Sequence, residues 1–296
     1  GAVFFAGLLF DDAVNITARA VATAGVINES CMVGLEETAA QAIRTSGNVD
    51  LIMSCGVASN SSHNNSVWTN GNVTIDVPSL TTAGGIRDGA GAHDDVPSQT
   101  NARRVEDPYD NLTPPFYSGC DFNNMSVNSS TDLTPGVYCG GLRIGGNSTV
   151  NLAPGEYIMD AGDFEILGNT RVYGTDVTII LTSTDDSTGG FKITGGSEVA
   201  LTAPTEGDFA GVAVYQDPNA DTDNSNSLRG NADVDIEGAV YLPVGHIDIG
   251  GNGDYAGECT QVIANSITMV GNADIQNNCD DMPIRPIGSL RARLVE

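Results

Sequence analysis

The chain has 296 residues and carries 38 acidic against 12 basic side chains, a formal net charge of −26 in which Lys192 is the only lysine. That balance excludes nucleic acid and anionic lipid as partners, because holding phosphate requires clustered Lys and Arg. The length admits one large body or two ordinary domains.

The first ten residues, Gly1 to Phe10, are the most apolar run present. They reach about half the length of a bilayer span, and no basic flank marks a signal peptide. The run reads either as a mature end left by processing or as the surviving part of a longer membrane anchor. An apolar end has to be covered by its own core or by a neighbouring subunit, which makes Val3, Phe4, Phe5, Leu8, Leu9 and Phe10 candidate assembly residues. Alanine-rich, helically spaced residues from Ala13 to Ala24 predict a short helix, so residues 1–30 form a first segment.

A Gly-Asn phrase followed by alternating polar and apolar residues then recurs, with its asparagines at Asn48, Asn72, Asn147, Asn169, Asn231, Asn252 and Asn272. Steps such as 24 (48 to 72), 22 (147 to 169), 21 (231 to 252) and 20 (252 to 272) are the period of a stacked repeat. The alternation is that of strands, Gly suits a corner, and stacked Asn amides can form a ladder. The expected fold is all-β: a single-chain parallel β-helix, a solenoid with coils of about 20–24 residues, running from 31 to 281, with an Asn ladder at one corner. Gly196, where a degenerate copy lacks the Asn, should leave a gap.

The cysteines share the period. Cys31 and Cys55 are 24 apart, Cys120 and Cys139 are 19 apart, and Cys259 and Cys279 are 20 apart. Residues one repeat apart lie about 4.8 Å from each other in neighbouring strands, within the Cα range a disulfide accepts. Three disulfides are expected, and with them an oxidising, extracellular location. Two stretches leave the repeat: about 84–118, rich in Gly, Asp and Pro, and about 217–228, almost wholly polar. Residues 282–296 form a tail or cap.

Several segments together resemble a known family. They are Cys31-Met32-Val33-Gly34-Leu35, Cys55-Gly56-Val57-Ala58-Ser59-Asn60, Pro135-Gly136-Val137-Tyr138-Cys139-Gly140-Gly141, Phe209 to Asp217, Gly238-Ala239-Val240-Tyr241-Leu242-Pro243 and Cys259-Thr260-Gln261-Val262-Ile263-Ala264. Over residues 31–279 the chain resembles the repeat-bearing domain of TadE/TadG-type proteins of bacterial Tad (Flp) pilus assembly. The resemblance implies a cell-surface protein linked to pili and attachment, with no catalytic residues. Such proteins enter this domain from a membrane helix, whereas here a ten-residue apolar stub precedes it; a membrane would be reached only through a removed or truncated anchor.

Candidate chemistry is sparse. His93 beside Asp94-Asp95, with Arg103-Arg104 nearby, is the best acid/base group for cleaving a polysaccharide, which needs two carboxylates at a set separation. Adjacent carboxylates in an acidic loop are more commonly just solvated. Asp217, Asp221 and Asp223 offer oxygen ligands in one loop, as calcium prefers, but the Gly and terminal acid of a calcium loop are replaced by Asn226 and Ala232. No other cofactor is expected. His63, His93 and His246 lack metal-ligand spacing, and Trp68 and Tyr109 read as packing residues rather than sugar platforms. The leading expectation is a secreted, non-enzymatic structural protein of the pilus-associated type whose apolar N-terminus docks on another copy, giving a homo-oligomer or filament, or on a pilus component. The alternatives are an adhesin that meets glycan or host ligand through its loops, and a polysaccharide-acting enzyme.

Overall fold

The computed structural model describes residues 22–27, 29–89, 91–184, 187–221, 225–257, 259–277 and 284–294. Among these there is no helix; the chain is all-β, with one sheet of 23 strands and a separate pair. The reason is visible along each strand. In β3 (Ile43–Met53) Ile43, Thr45, Val49, Leu51 and Met53 are buried while the residues between them face outward, the two-residue period of a half-buried strand.

The open β-helix solenoid of the sequence reading is corrected here, and so is the end of its N-terminal helix at residues 22–24. Eight strands close on themselves into a parallel barrel: β11 (Gly136–Ile144), β13 (Gly155–Asp160), β16 (Val177–Thr182), β19 (Val212–Gln216), β21 (Asp233–Gly251), β20 (Ser225–Gly230), β17 (Phe191–Ile193), β14 (Phe164–Ile166) and back to β11. The remaining strands of the large sheet add to it from outside. Long strands make the closure. The 19 residues of β21 pair with β18 (Glu198–Thr202) through Asp233–Glu237, with β19 through Ala239–Tyr241 and with β20 through His246–Gly251. A repeat period says which residues neighbour one another; it does not say whether a strand will run on past a corner and join two faces. The helix expected over Ala13–Ala24 meets β1 (Ala22–Ile27), which pairs antiparallel with β25 (Ser289–Leu294) in the tail. Residues 13–21, and the apolar run from Gly1 to Phe10 with Val3, Phe4, Phe5, Leu8, Leu9 and Phe10, lie outside the described residues.

Strand order departs from chain order as well. β23 (Thr260–Gly271) pairs with β2 (Ser30–Gly34) and with β3, and β24 (Asp274–Asn277) pairs with β3. The N-terminal repeats are therefore spliced onto the C-terminal ones. From there β4 (Gly56–Ser59), β5 (Val67–Asp76), β6 (Leu80–Thr82), β7 (Ile86–Asp88) and β8 (Ser98–Gln99) extend the sheet to one end. β9 (Phe122–Val127) and β10 (Thr131–Leu133) form the other end, on β11 and on β12 (Thr149–Leu152). Corner glycines permit the close stacking. Gly47 has φ +107°, and a Cβ there would lie 2.6 Å from the carbonyl oxygen of Gly271, so a side chain would meet backbone across the splice.

The expected excursion at 84–118 contains β7 and β8, after which residues 100–121 run without regular strands from one end of the sheet to the other. This strap covers a second apolar cluster on the outer face, where Tyr109 and Leu112 pack with Val33, Ala58, Tyr215 and Tyr241. Its polar groups are satisfied by the sheet. The Tyr241 hydroxyl donates to Asp107 Oδ2 at 2.8 Å, the Tyr109 hydroxyl to Gln261 Oε1 at 3.1 Å, and the Tyr215 hydroxyl to the Leu112 carbonyl at 3.1 Å. Arg285 lies over the Tyr109 ring and donates to the Pro108 carbonyl and Asn111 Oδ1. Burial pushes the Asp107 carboxyl above its ordinary range, against the hydrogen bonds that favour its charge.

Candidate functional site

The most regular chemistry on the surface is the Gly-Asn corner. Asn252 Nδ2 donates to Asn231 Oδ1 at 3.2 Å, Asn272 Nδ2 to Asn252 Oδ1 at 2.6 Å, and Asn48 Nδ2 to Asn272 Oδ1 at 2.7 Å. The ladder thus crosses the splice in the order 231, 252, 272, 48. Asn72 is in register with Asn48, but among the described residues no amide bond extends the ladder to it. At Gly196 the ladder is interrupted: the Asn169 amide oxygen occupies the space, 2.7 Å from where a Cβ would stand. Asn147 adopts φ 56° and turns the chain instead.

Two residues further along each strand, the register places four carboxylates in a row: Asp233, Asp254, Asp274 and Asp50, ending at Thr74. The β22 member, Asp254 (β22 is Asp254–Gly257), has its carboxyl raised above the usual range, first by partial burial and then by the charges of Asp274 and Asp233. The repeat Gly-Asn-Ala-Asp at 230–233 and 271–274 carries this row in its sequence, and Asp50 completes it from the N-terminal block. Only the splice reveals that Asp50 belongs beside Asp274.

The calcium candidates do not meet as a site among the described residues. Asp217 is buried and fully engaged: Oδ2 accepts from the Thr182 hydroxyl at 2.8 Å, and Oδ1 accepts from the Asn219 backbone N–H and side-chain amide at 2.9 and 3.0 Å. It braces its own turn. Asp221 is exposed, and Asp223 lies outside the described residues.

The acid/base candidates are also rearranged. His93 Nδ1 lies 2.6 Å from Asp88 Oδ2, and the Thr69 hydroxyl donates to the other oxygen of that carboxylate at 2.6 Å. Asp94 and Asp95 are exposed and take no part. Arg104 pairs with Glu37 at 2.7 Å and donates to the Asn60 and Glu37 carbonyls, tying the strap to β4's end. Asp88 went unnoticed in the sequence because nothing in its spacing distinguishes it from other loop acids.

Cys31–Cys55 and Cys120–Cys139 are disulfides, each with Cα atoms 5.6 Å apart. Cys259 is disulfide-bonded too; Cys279, its expected partner, lies outside the described residues. Cystines and the lack, among the described residues, of a helix long and apolar enough to cross a membrane are compatible with an extracellular protein. Asp160 stands against the second bridge, with Oδ2 3.3 Å from Cys139 Sγ and Oδ1 accepting from the Tyr117 hydroxyl. Cys120, Cys139 and Asp160 have the proximity of a metal site, but metal needs thiolates, and here both sulfurs are spent on each other.

Tyr109 is wholly buried, a packing residue. Trp68 is half-buried on the outer side of β5, with the Arg44 guanidinium 5.1 Å above its ring. A period check would have found this pair, since Arg44 and Trp68 are 24 apart like Asn48 and Asn72. Comparison of the chain with protein-family models, with curated proteins and with solved structures finds no match to any of them.

Proposed function

We propose that this is a non-enzymatic structural protein of the bacterial cell surface, of the kind that serves pili, and that it joins a filament or another copy of itself through its N-terminal apolar residues. The observation that supports this reading is the splice of residues 30–53 onto residues 260–277. A sheet built in chain order can fray from either terminus, one repeat at a time. Here the first repeats sit between the last repeats and the outermost strands, so neither the first nor the last described strand of the large sheet lies at its end. Disulfides between neighbouring strands and a strap along the outside add to a body suited to bearing load. Negative-stain microscopy and sizing of the whole chain beside a chain lacking Gly1–Phe10 test the proposal. Oligomers or filaments that disappear on truncation are the expected result; monomers in both preparations would overturn it in favour of an adhesin.

A further inference from the structure

We infer that Arg44, Trp68 and Arg87 form a binding site for an acidic oligosaccharide. The three residues are in register on β3, β5 and β7, Arg44 beside Trp68 and Trp68 beside Arg87, so they make one outward column near the end of the sheet. Acids outnumber bases 38 to 12 in this chain, and the other basic side chains on the sheet find carboxylates: Arg143 with Glu165, Arg171 with Glu198, Lys192 with Asp163, Arg229 with Asp248. Among the described residues Arg44 and Arg87 have no such partner. Asp88, the carboxylate next to Arg87 in the chain, is turned in toward Thr69 and His93, and the outward residues Ser46 and Asn70 are uncharged. Arg44 is held by its stacking on the indole, and its Nε is buried without a hydrogen-bond partner; Arg87 is exposed.

The chemistry of the ligand follows. A guanidinium fork matches a carboxylate, and an indole edge offers an apolar surface with a polar handle suited to a sugar ring. Arg44 and Arg87 are two strand spacings apart, about 9.6 Å along the sheet, enough to accept one neutral ring between two acidic ones. A dense polyanion is turned away by the net charge of −26, so sparse carboxylates on a largely neutral chain fit better than nucleic acid or polyphosphate. The site uses none of the residues of the assembly proposed above, so the two are tested independently.

Trp68 is the only tryptophan, so its fluorescence reports on this column alone. The whole chain is titrated with a tetrasaccharide of alternating glucuronate and N-acetylglucosamine, with its carboxyl-reduced form, and with inorganic phosphate. A saturable change is expected with the acidic sugar only, at least tenfold weaker in Arg87→Gln and in Arg44→Gln, with unchanged circular dichroism and unchanged oligomeric size. No saturable change, equal binding of the reduced sugar or of phosphate, or full binding by a folded Arg87→Gln would overturn it. Should Arg44→Gln fail to fold, the surface variant Arg87→Gln alone decides.

Discussion

Asn48 and Asn272 stand 224 positions apart in the chain and are joined by a 2.7 Å amide hydrogen bond. That bond marks the place where the N-terminal repeats are laid on the C-terminal ones. Asn272 is the middle of the ladder, donating to Asn252 and accepting from Asn48. Asn272→Ala removes both bonds at an exposed corner, where each is worth about 0.5–1.5 kcal/mol. Urea unfolding should show a loss of about 1–2 kcal/mol, whereas Asn147→Gly, at a turn outside the ladder with φ 56°, should change little.

The glycine one position before Asn48 should be less forgiving. In Gly47→Ala the new Cβ would stand 2.6 Å from the Gly271 carbonyl oxygen in a backbone with φ +107°. Strain of this kind costs about 1–3 kcal/mol per residue before any backbone shift is counted. A drop in thermal midpoint clearly larger than that of Asn272→Ala is expected, together with faster amide exchange in β3 and β23.

The carboxylate row makes stability depend on pH. Asp254 has a raised pKa in the folded chain, so the native state holds its proton more tightly than the unfolded one does. Its contribution is therefore favourable below the ordinary carboxylate pKa and is lost as pH rises through the raised value. In Asp254→Asn the slope of stability against pH just above pH 4 should flatten, and the variant should equal or exceed the parent at neutral pH. Because Asp254 is largely exposed, added salt should shrink the difference.

The strap offers a test of its own anchor. Asp107→Ala leaves the hydroxyl of Tyr241, a residue 2% exposed, without its acceptor, and deprives the Tyr109 N–H of its partner. A loss of about 1–3 kcal/mol is expected. Limited proteolysis should cut within residues 100–121 sooner than in the parent, with the barrel fragments remaining resistant.

The Cys31–Cys55 bridge closes a loop of 24 residues within the N-terminal block. Replacing both cysteines by alanine should remove about 3 kcal/mol by releasing the unfolded chain. Reductant at elevated temperature should shrink the difference, because it opens in the parent the same bridge that the variant lacks.

Much of the local arrangement can be read from the sequence by itself, because it depends on neighbours in the chain. The two-residue alternation after each Gly-Asn predicts strands whose buried side chains are Val49, Leu51, Val234 and Ile236. The 24-residue step from Cys31 to Cys55 reflects strand neighbours, and the same step pairs Asn48 with Asn72. The global arrangement was decided by contacts that no repeat can encode. The repeats present interchangeable edges, so a period cannot say which edge meets which. Side chains far apart in sequence make that choice: Gln261 and Tyr241 hold the strap, and residues of β23 and β24 receive β3. The same holds for the sites. The sequence offers Asp217 as an oxygen ligand but does not show that it braces its own turn through Thr182 and Asn219, nor that half-buried Trp68 lies under Arg44 and beside Arg87. Exposure and partner are properties of the assembled sheet, set by the strands laid beside each residue rather than by its own place in the repeat.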